Sequence, residues 1–303
     1  MERKSLTSNP NRSHDRLHFY KYMTAATAQA ALRSRTLRWS SPLIFNDPFD
    51  TPRKLSFDCT ARELQEALAA ELATLIETGA DIPSGAPILL SAMLSLIKLH
   101  KNQDIRSLLA NDLRTEALRH IPAPATGFNA LQEHWDSLIP TMRILCLSEV
   151  PHSTAMWAHY AESHRGVVIE FEASDSVDSP LLIARPIVYR DGPPRLPTKA
   201  EWVESLLGRK RIDLKEFFTD YQFVKSQDWA SEKEWRVLSY ARPGETGSHS
   251  QYPFSVEELS RVIVGSECSA ADEAQIRQLT AANYPNAVVL RAVVNHTTRR
   301  IEF

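Results

Sequence analysis

Two acidic residues two positions apart, at the entry to an apolar strand, are the part of this chain best able to do chemistry. In Lys225-Ser-Gln-Asp-Trp-Ala-Ser-Glu-Lys-Glu-Trp-Arg236 a polar, turn-rich half runs into EWRVLSY. That pattern puts Glu232 and Glu234 on one face, at or just before the strand's start. Like charges on one face need solvent or counter-ions. Lys225 or Arg236 supplies them if the group is a surface ion network. If the pair lines a pocket, one carboxylate works on the ligand and the other sets its charge or positions a nucleophile.

A second concentration is MWAHYAESHRGVVIE, residues 156–170. Ser153 or Thr154 caps a short helix over about 155–162, which sets Met156, His159 and Tyr160 on one face with Trp157 beside them. His164 and Arg165 then fall in the loop before the strand GVVIEF. The two histidines are five residues apart, no carboxylate stands where a HExxH helix needs one, and no Ser or Cys nucleophile pairs with either; no metal is expected. Two readings stay open: packed core aromatics with hydrogen-bonded histidines, or the wall of a pocket. Asn46 and Asp47, in FNDPFD, have the same ambiguity. An Asx turn before Pro48 explains them, and so does a ligand hydroxyl bound by their side chains.

These residues must be held by the elements around them. Residues 1–16 read as a disordered leader, LHFYKYM (17–23) as a strand, and TAATAQAALRSRTLRWS as a helix with Ala26, Ala30, Leu32 and Leu37 near one face. From about 60 to 139 three Ala/Leu-rich segments, broken by DIPSG and KNQ, form an inserted all-α subdomain. Beyond 142 the apolar runs MRILCLSE, GVVIEFEA, IARPIVYR, KEWRVLSYA, RVIVGSE, AVVLRAVV and RRIEF are strands, several buried on both faces, with helices near 199–226 and 269–283. The order predicts a single α+β domain over 17–303, with a mixed or antiparallel β core, flanking helices and the helical insert. Nine glycines, none in G-x-G-x-x-G or P-loop spacing, argue against a Rossmann or P-loop phosphate cradle.

Of the 303 residues 24% are charged and 43% hydrophobic, and the formal net charge is −2, so no global field draws the chain to nucleic acid or anionic lipid. The absence of a long apolar run and of a hydrophobic leader predicts a cytoplasmic protein with no membrane partner. Cys59, Cys146 and Cys268 are odd in number and far apart, as reduced thiols would be.

Four pieces in order, namely the FYKYM strand, FNDPFD, LCLSE leading into MWAHYAESHRGVVIEF, and KSQDWASEKEWRVL followed by RVIVGS, resemble a bacterial family known as domain of unknown function 2971. More distantly, an aromatic-basic first strand and helix, a serine on a middle strand and E-x-E on a later one are similar to the ADP-ribosyltransferase fold. That resemblance implies an enzyme acting on NAD or a nucleotide, possible in a toxin or phage-defence effector, with a protein or nucleic-acid acceptor. It places Lys21, with Tyr20 and Tyr22, at the NAD-anchoring position, where most such enzymes carry His or Arg. Ser148 takes the middle strand, and Glu234, with Glu232 as its partner, the catalytic carboxylate. Trp157 or Tyr160 would stack on nicotinamide, Arg236 or Arg165 would neutralise a pyrophosphate, and His159 or His164 would supply hydrogen bonds. Two other classes stand beside it. One is a nucleic-acid-directed effector using Lys21, Arg33, Arg35 and Arg38 as a basic stripe on the first helix. The other is a non-catalytic ligand sensor or scaffold whose helical insert binds a partner. Convergence of Glu232 and Glu234 on one cleft with Lys21, His159 and Tyr160 would favour the enzyme.

Overall fold

The computed structural model describes residues 9–116, 119, 125–192, 194 and 196–303. Its helices are α1 (Ala25–Ser34), α2 (Ala61–Thr78), α3 (Ile88–Leu99), α4 (Gln103–Thr115), α5 (Ala125–Leu138), α6 (Thr154–Tyr160), α7 (Lys199–Leu206), α8 (Leu214–Asp220) and α9 (Ala270–Asn283). Its strands are β1 (His18–Met23), β2 (Thr36–Ser40), β3 (Met142–Ser148), β4 (Val167–Glu172), β5 (Arg185–Pro186), β6 (Val188–Tyr189), β7 (Val224–Lys225), β8 (Glu234–Tyr240), β9 (His249–Pro253), β10 (Leu259–Val264), β11 (Val288–Arg291), β12 (Val293–Asn295) and β13 (Arg300–Glu302). The chain is α+β. It forms two compact units, one of Met1–Thr51, Leu138–Gly192 and Phe223–Phe303, the other of Pro52–Ser137 and Pro193–Gln222.

The first unit carries a mixed sheet in the order β11-β10-β4-β1-β3-β2-β9, with β8 pairing both β3 and β5. Its ladders are antiparallel except β10 on β11. In β4 the run Val167–Phe171 is buried throughout, which is why it reads as near-continuous hydrophobic sequence. Alternation then sorts the side chains. Phe19, Met23, Ile169, Phe171 and Val262 join Ala28 and Leu32 of α1 and Ile276 of α9 in one core, while Tyr22, Val168 and Ile263 join Met156, Trp157 and Ile301 in another. Between β1 and β3 the register is a single pair, Tyr20 with Ser148, so the two strands part beyond it.

Several expectations change. The helix after β1 stops at Ser34; Arg35 takes a left-handed conformation (φ 56°), and Thr36–Ser40 is a strand against β9. The buried face of α1 is Ala25, Ala28, Ala31 and Leu32, so the phase based on Ala26, Ala30 and Leu37 is wrong. Lys21, Arg33, Arg35 and Arg38 lie on β1, α1, a turn and β2, and make no stripe on the first helix. The expected disordered leader is packed from residue 9 onward, residues 1–8 lying outside those described. Ser13 donates its backbone N–H to the Leu182 carbonyl (2.9 Å), and His14 meets Phe19 and Trp235 edge-on. IARPIVYR, expected as one strand, is two short ones on different neighbours, β5 on β8 and β6 on β7.

The second unit is helical, around Leu64, Ala73, Leu94, Ala110, Val203 and Leu207. A capping box between Thr60 and Glu63 starts α2. Trp135 stacks on Phe218 and donates its indole N–H to the Pro52 carbonyl at 2.8 Å. The unit therefore takes residues 193–222 in addition to the expected insert, because α7 supplies part of its core. No helix among the described residues is long and apolar enough to cross a membrane.

Candidate functional site

Buried charges lie at the centre of the first unit. Lys225, on β7, places its Nζ 2.6 Å from Glu232 Oε2, 3.0 Å from Glu234 Oε2 and 3.7 Å from Asp50 Oδ2. Arg236 donates through Nε to Glu234 Oε1 (2.6 Å) and through Nη2 to Asp50 Oδ2 (2.5 Å) and Glu234 Oε2 (3.1 Å). All five side chains are buried. Glu234 and Arg236 share a face of β8 by period-two alternation, with Trp235 turned to the opposite core. Glu232 ends the tight turn Gln227–Glu232, and Lys233 in a left-handed conformation (φ 46°) brings the chain back into β8. Three carboxylates thus meet Lys225 and Arg236, and Lys21, which also feels the Glu234 charge, lines the same pocket.

Burial alone would raise the Glu234 carboxyl, but Arg236 and Lys225 outweigh it and hold it down to about 2. The same carboxylates outweigh the desolvation of Lys225 and hold its ammonium above the usual lysine range. Burial and the Glu234 charge push the neighbouring Cys146 thiol up to about 12. Tyr160 donates to Glu232 Oε1 at 2.7 Å, so Glu232 accepts from a phenol on one oxygen and an ammonium on the other. Tyr189 accepts the Glu234 backbone N–H at 2.7 Å.

Above the charges opens a pocket of about 400 Å³. Glu232, Glu234, Asp50 and Lys225 line it together with Tyr20, Lys21, Tyr22, Asn46, His159 and Tyr160. It lies where β1 and β3 part. Lys21 donates its Nζ to the Cys146 carbonyl (2.6 Å), an acceptor for which that ladder has no partner, and burial lowers its pKa. Asn46 donates to the Tyr160 hydroxyl at 3.4 Å. Phe45, Ile44 and Met156 complete an apolar side.

The other expected residues sit elsewhere. Trp157 is fully buried, donates to the Pro151 carbonyl (2.8 Å) and packs on Tyr22 and His164, so it presents no face to a ligand. Neither His164 nor the exposed Arg165 lines the pocket. Arg236 is committed to Asp50 and Glu234, which removes it as a pyrophosphate partner. Ser148 is buried and donates to the Glu232 carbonyl at 2.7 Å, bracing that turn. Asp47 accepts the Phe49 backbone N–H at 2.9 Å, as an Asx turn requires. Asp50, Lys225 and Cys146 join the site without having been singled out as ligand residues. Only the acidic end of FNDPFD and the first residue of the KSQDW stretch hinted at the first two.

The segment that carries His159 and Tyr160 is fixed at both ends. The Ser153 side chain accepts the Met156 N–H to start α6, and the Tyr22 hydroxyl bridges the Val150 carbonyl and the Ser153 N–H. After α6, Glu162, Ser163 and His164 are all left-handed (φ 51°, 52° and 69°). At Gly166 a Cβ would lie 2.2 Å from the Met23 carbonyl oxygen, so only glycine allows β4 to start there. Among the described residues no group of three His, Cys, Asp or Glu is placed to hold a metal ion.

The segment on which this geometry rests has relatives. Residues 156–237 match the family model described as Protein of unknown function (DUF2971). The match runs from Met156 at the start of the pocket wall to Val237 just past Arg236, and so contains α6 from Met156 onward, Lys225, Glu232 and Glu234 but not Lys21 or Asp50. No curated protein and no solved structure matches the chain.

Proposed function

We propose that the protein is an enzyme that breaks the N-glycosidic bond of a nucleotide, with NAD as the leading substrate, and passes the ribosyl group to an acceptor or to water. The observation that carries this reading is the convergence of Glu232 and Glu234 on one pocket with Lys21, His159 and Tyr160. Cleavage of such a bond sends the bonding pair to the leaving ring nitrogen and leaves positive charge on the ribose C1′ and ring oxygen. A preformed carboxylate beside that position favours the transition state over the neutral sugar. Glu232 is the better placed of the two to meet the ribose, since two cations hold Glu234 whereas Glu232 has one cation, Lys225, and a neutral phenol, Tyr160. Tyr160 and Asn46 orient Glu232, and Tyr20 or Phe45 offers the aromatic face that Trp157 does not. The pocket suits the nicotinamide-ribose half. Neither Arg165 nor Arg236, the cations expected to meet a pyrophosphate, lines it, whereas Lys21, at the NAD-anchoring position, does.

The test incubates purified protein with NAD, alone and with protein or nucleic-acid acceptors, and follows nicotinamide release. Release by the native protein that falls at least ~100-fold in folded Glu232→Gln supports the reading. Release unchanged by both Glu232→Gln and Glu234→Gln, or no nucleotide binding, overturns it. The saturation of Glu234 by two cations favours a second reading, a ligand sensor, and saturable nucleotide binding without turnover would decide for that.

A further inference from the structure

Helix α3, ILLSAMLSLIKL, is apolar around its circumference. One stripe, Leu90, Leu94 and Ile97, packs into the second unit's core. The opposite stripe is bare: Ile88 is 90% exposed, Leu89 75%, Met93 53%, Leu96 65% and Leu99 75%. A helix hydrophobic on all sides is ordinarily covered on all sides. Leu89, Ala92, Leu96 and Leu99 recur at spacings of three and four, the a and d positions of a helix-pairing seam.

We propose that this face pairs with the same face of a second copy of the chain. Three observations select that occupant. First, the seam carries no charge; Lys98, the one charged residue of α3, is paired with Asp81 at 2.8 Å. Two identical faces therefore meet without like-charge repulsion. Second, the hydroxyls beside the seam are already satisfied, Ser95 on the Ser91 carbonyl (2.7 Å) and Ser91 on the Ala86 carbonyl (3.3 Å), so covering them strands no donor. Third, the area is of the right order. The five bare aliphatics of α3 amount to about three and a half whole side chains, which with a polar rim suit a pairing at the small end of specific interfaces, under ~1,200 Å² in total. A lipid surface is disfavoured because an interfacial helix needs a basic polar face, and the flanks of α3 balance Lys98 and Lys101 with Asp81 and Asp104.

Sedimentation of the full chain over a concentration series tests this. The native protein should reach twice the 34.2 kDa chain mass. Leu96→Glu and, separately, Leu99→Glu should each weaken association at least ~10-fold while leaving the far-UV circular dichroism unchanged, because both side chains are solvent-facing in the single copy. A native protein that stays at the single-chain mass overturns the proposal, as does a pair insensitive to both substitutions. Single chains that instead co-sediment with phosphatidylcholine vesicles would also overturn it.

Discussion

Lys225 touches three carboxylates and is itself buried, so its removal leaves Asp50 and Glu234 to Arg236 and takes from Glu232 the ammonium it accepts from. Lys225→Met is expected to cost about 3–5 kcal/mol, read from urea unfolding, because an uncompensated buried charge is left behind. Adding Glu232→Gln to that variant should restore part of the loss. Glu234 gives the pH dependence. Its folded value of about 2 lies below the ~4.3 of an unfolded glutamate. The unfolded chain therefore takes the proton first as pH falls, and the stability Glu234 contributes is whole above the unfolded value and lost down to about 2. Urea midpoints at neutral and acidic pH should fall further in the native protein than in Glu234→Gln. Cys146, with its thiol pushed up to about 12, should alkylate far more slowly at mildly alkaline pH in the folded protein than in urea.

The elements that aim these residues are short and sensitive to single substitutions. Ser153→Ala removes the α6 cap and is expected to cost ~0.5–2 kcal/mol, seen as a lower unfolding midpoint. Gly166→Ala should cost more than an ordinary surface change, since its Cβ meets the backbone of β1 rather than a side chain that can swing away. β1, β3, β4, β8 and β10 were legible because their apolar runs are long and bounded by turns. β2 and β9 were not: TLRWS continues a helical-looking alanine segment, and HSQYP has polar outward positions and a proline. In the site, Glu232, Glu234, Lys21 and Tyr160 could be read from residue type and order. Trp157 and Arg236 were assigned to the pocket because an indole and a guanidinium suit a ligand, yet both are buried against other groups, a tertiary fact without a local signal. Asp50 joined the charges through a contact that spans the chain to Arg236, which spacing does not reveal.

At the scale of the whole molecule, each unit has its own core and each is assembled from separated stretches of sequence. Residue-resolved hydrogen exchange in rising denaturant should therefore show two groups of amides, around Leu64 and Leu94 and around Ile169 and Val262, that open at different concentrations. A single shared opening would contradict independent cores. The pairing of β1 with β4, Lys21 opposite Ile169, has a consequence in time. About 150 residues separate the partners, and at ~5–20 residues per second the ribosome needs roughly 7–30 s to supply the second after the first. Collapse takes microseconds, so for most of that interval the first strand has no native strand to pair with. A nascent chain arrested before Val167 should leave β1 open to protease and to holding chaperones, and one arrested after Val264 should protect it.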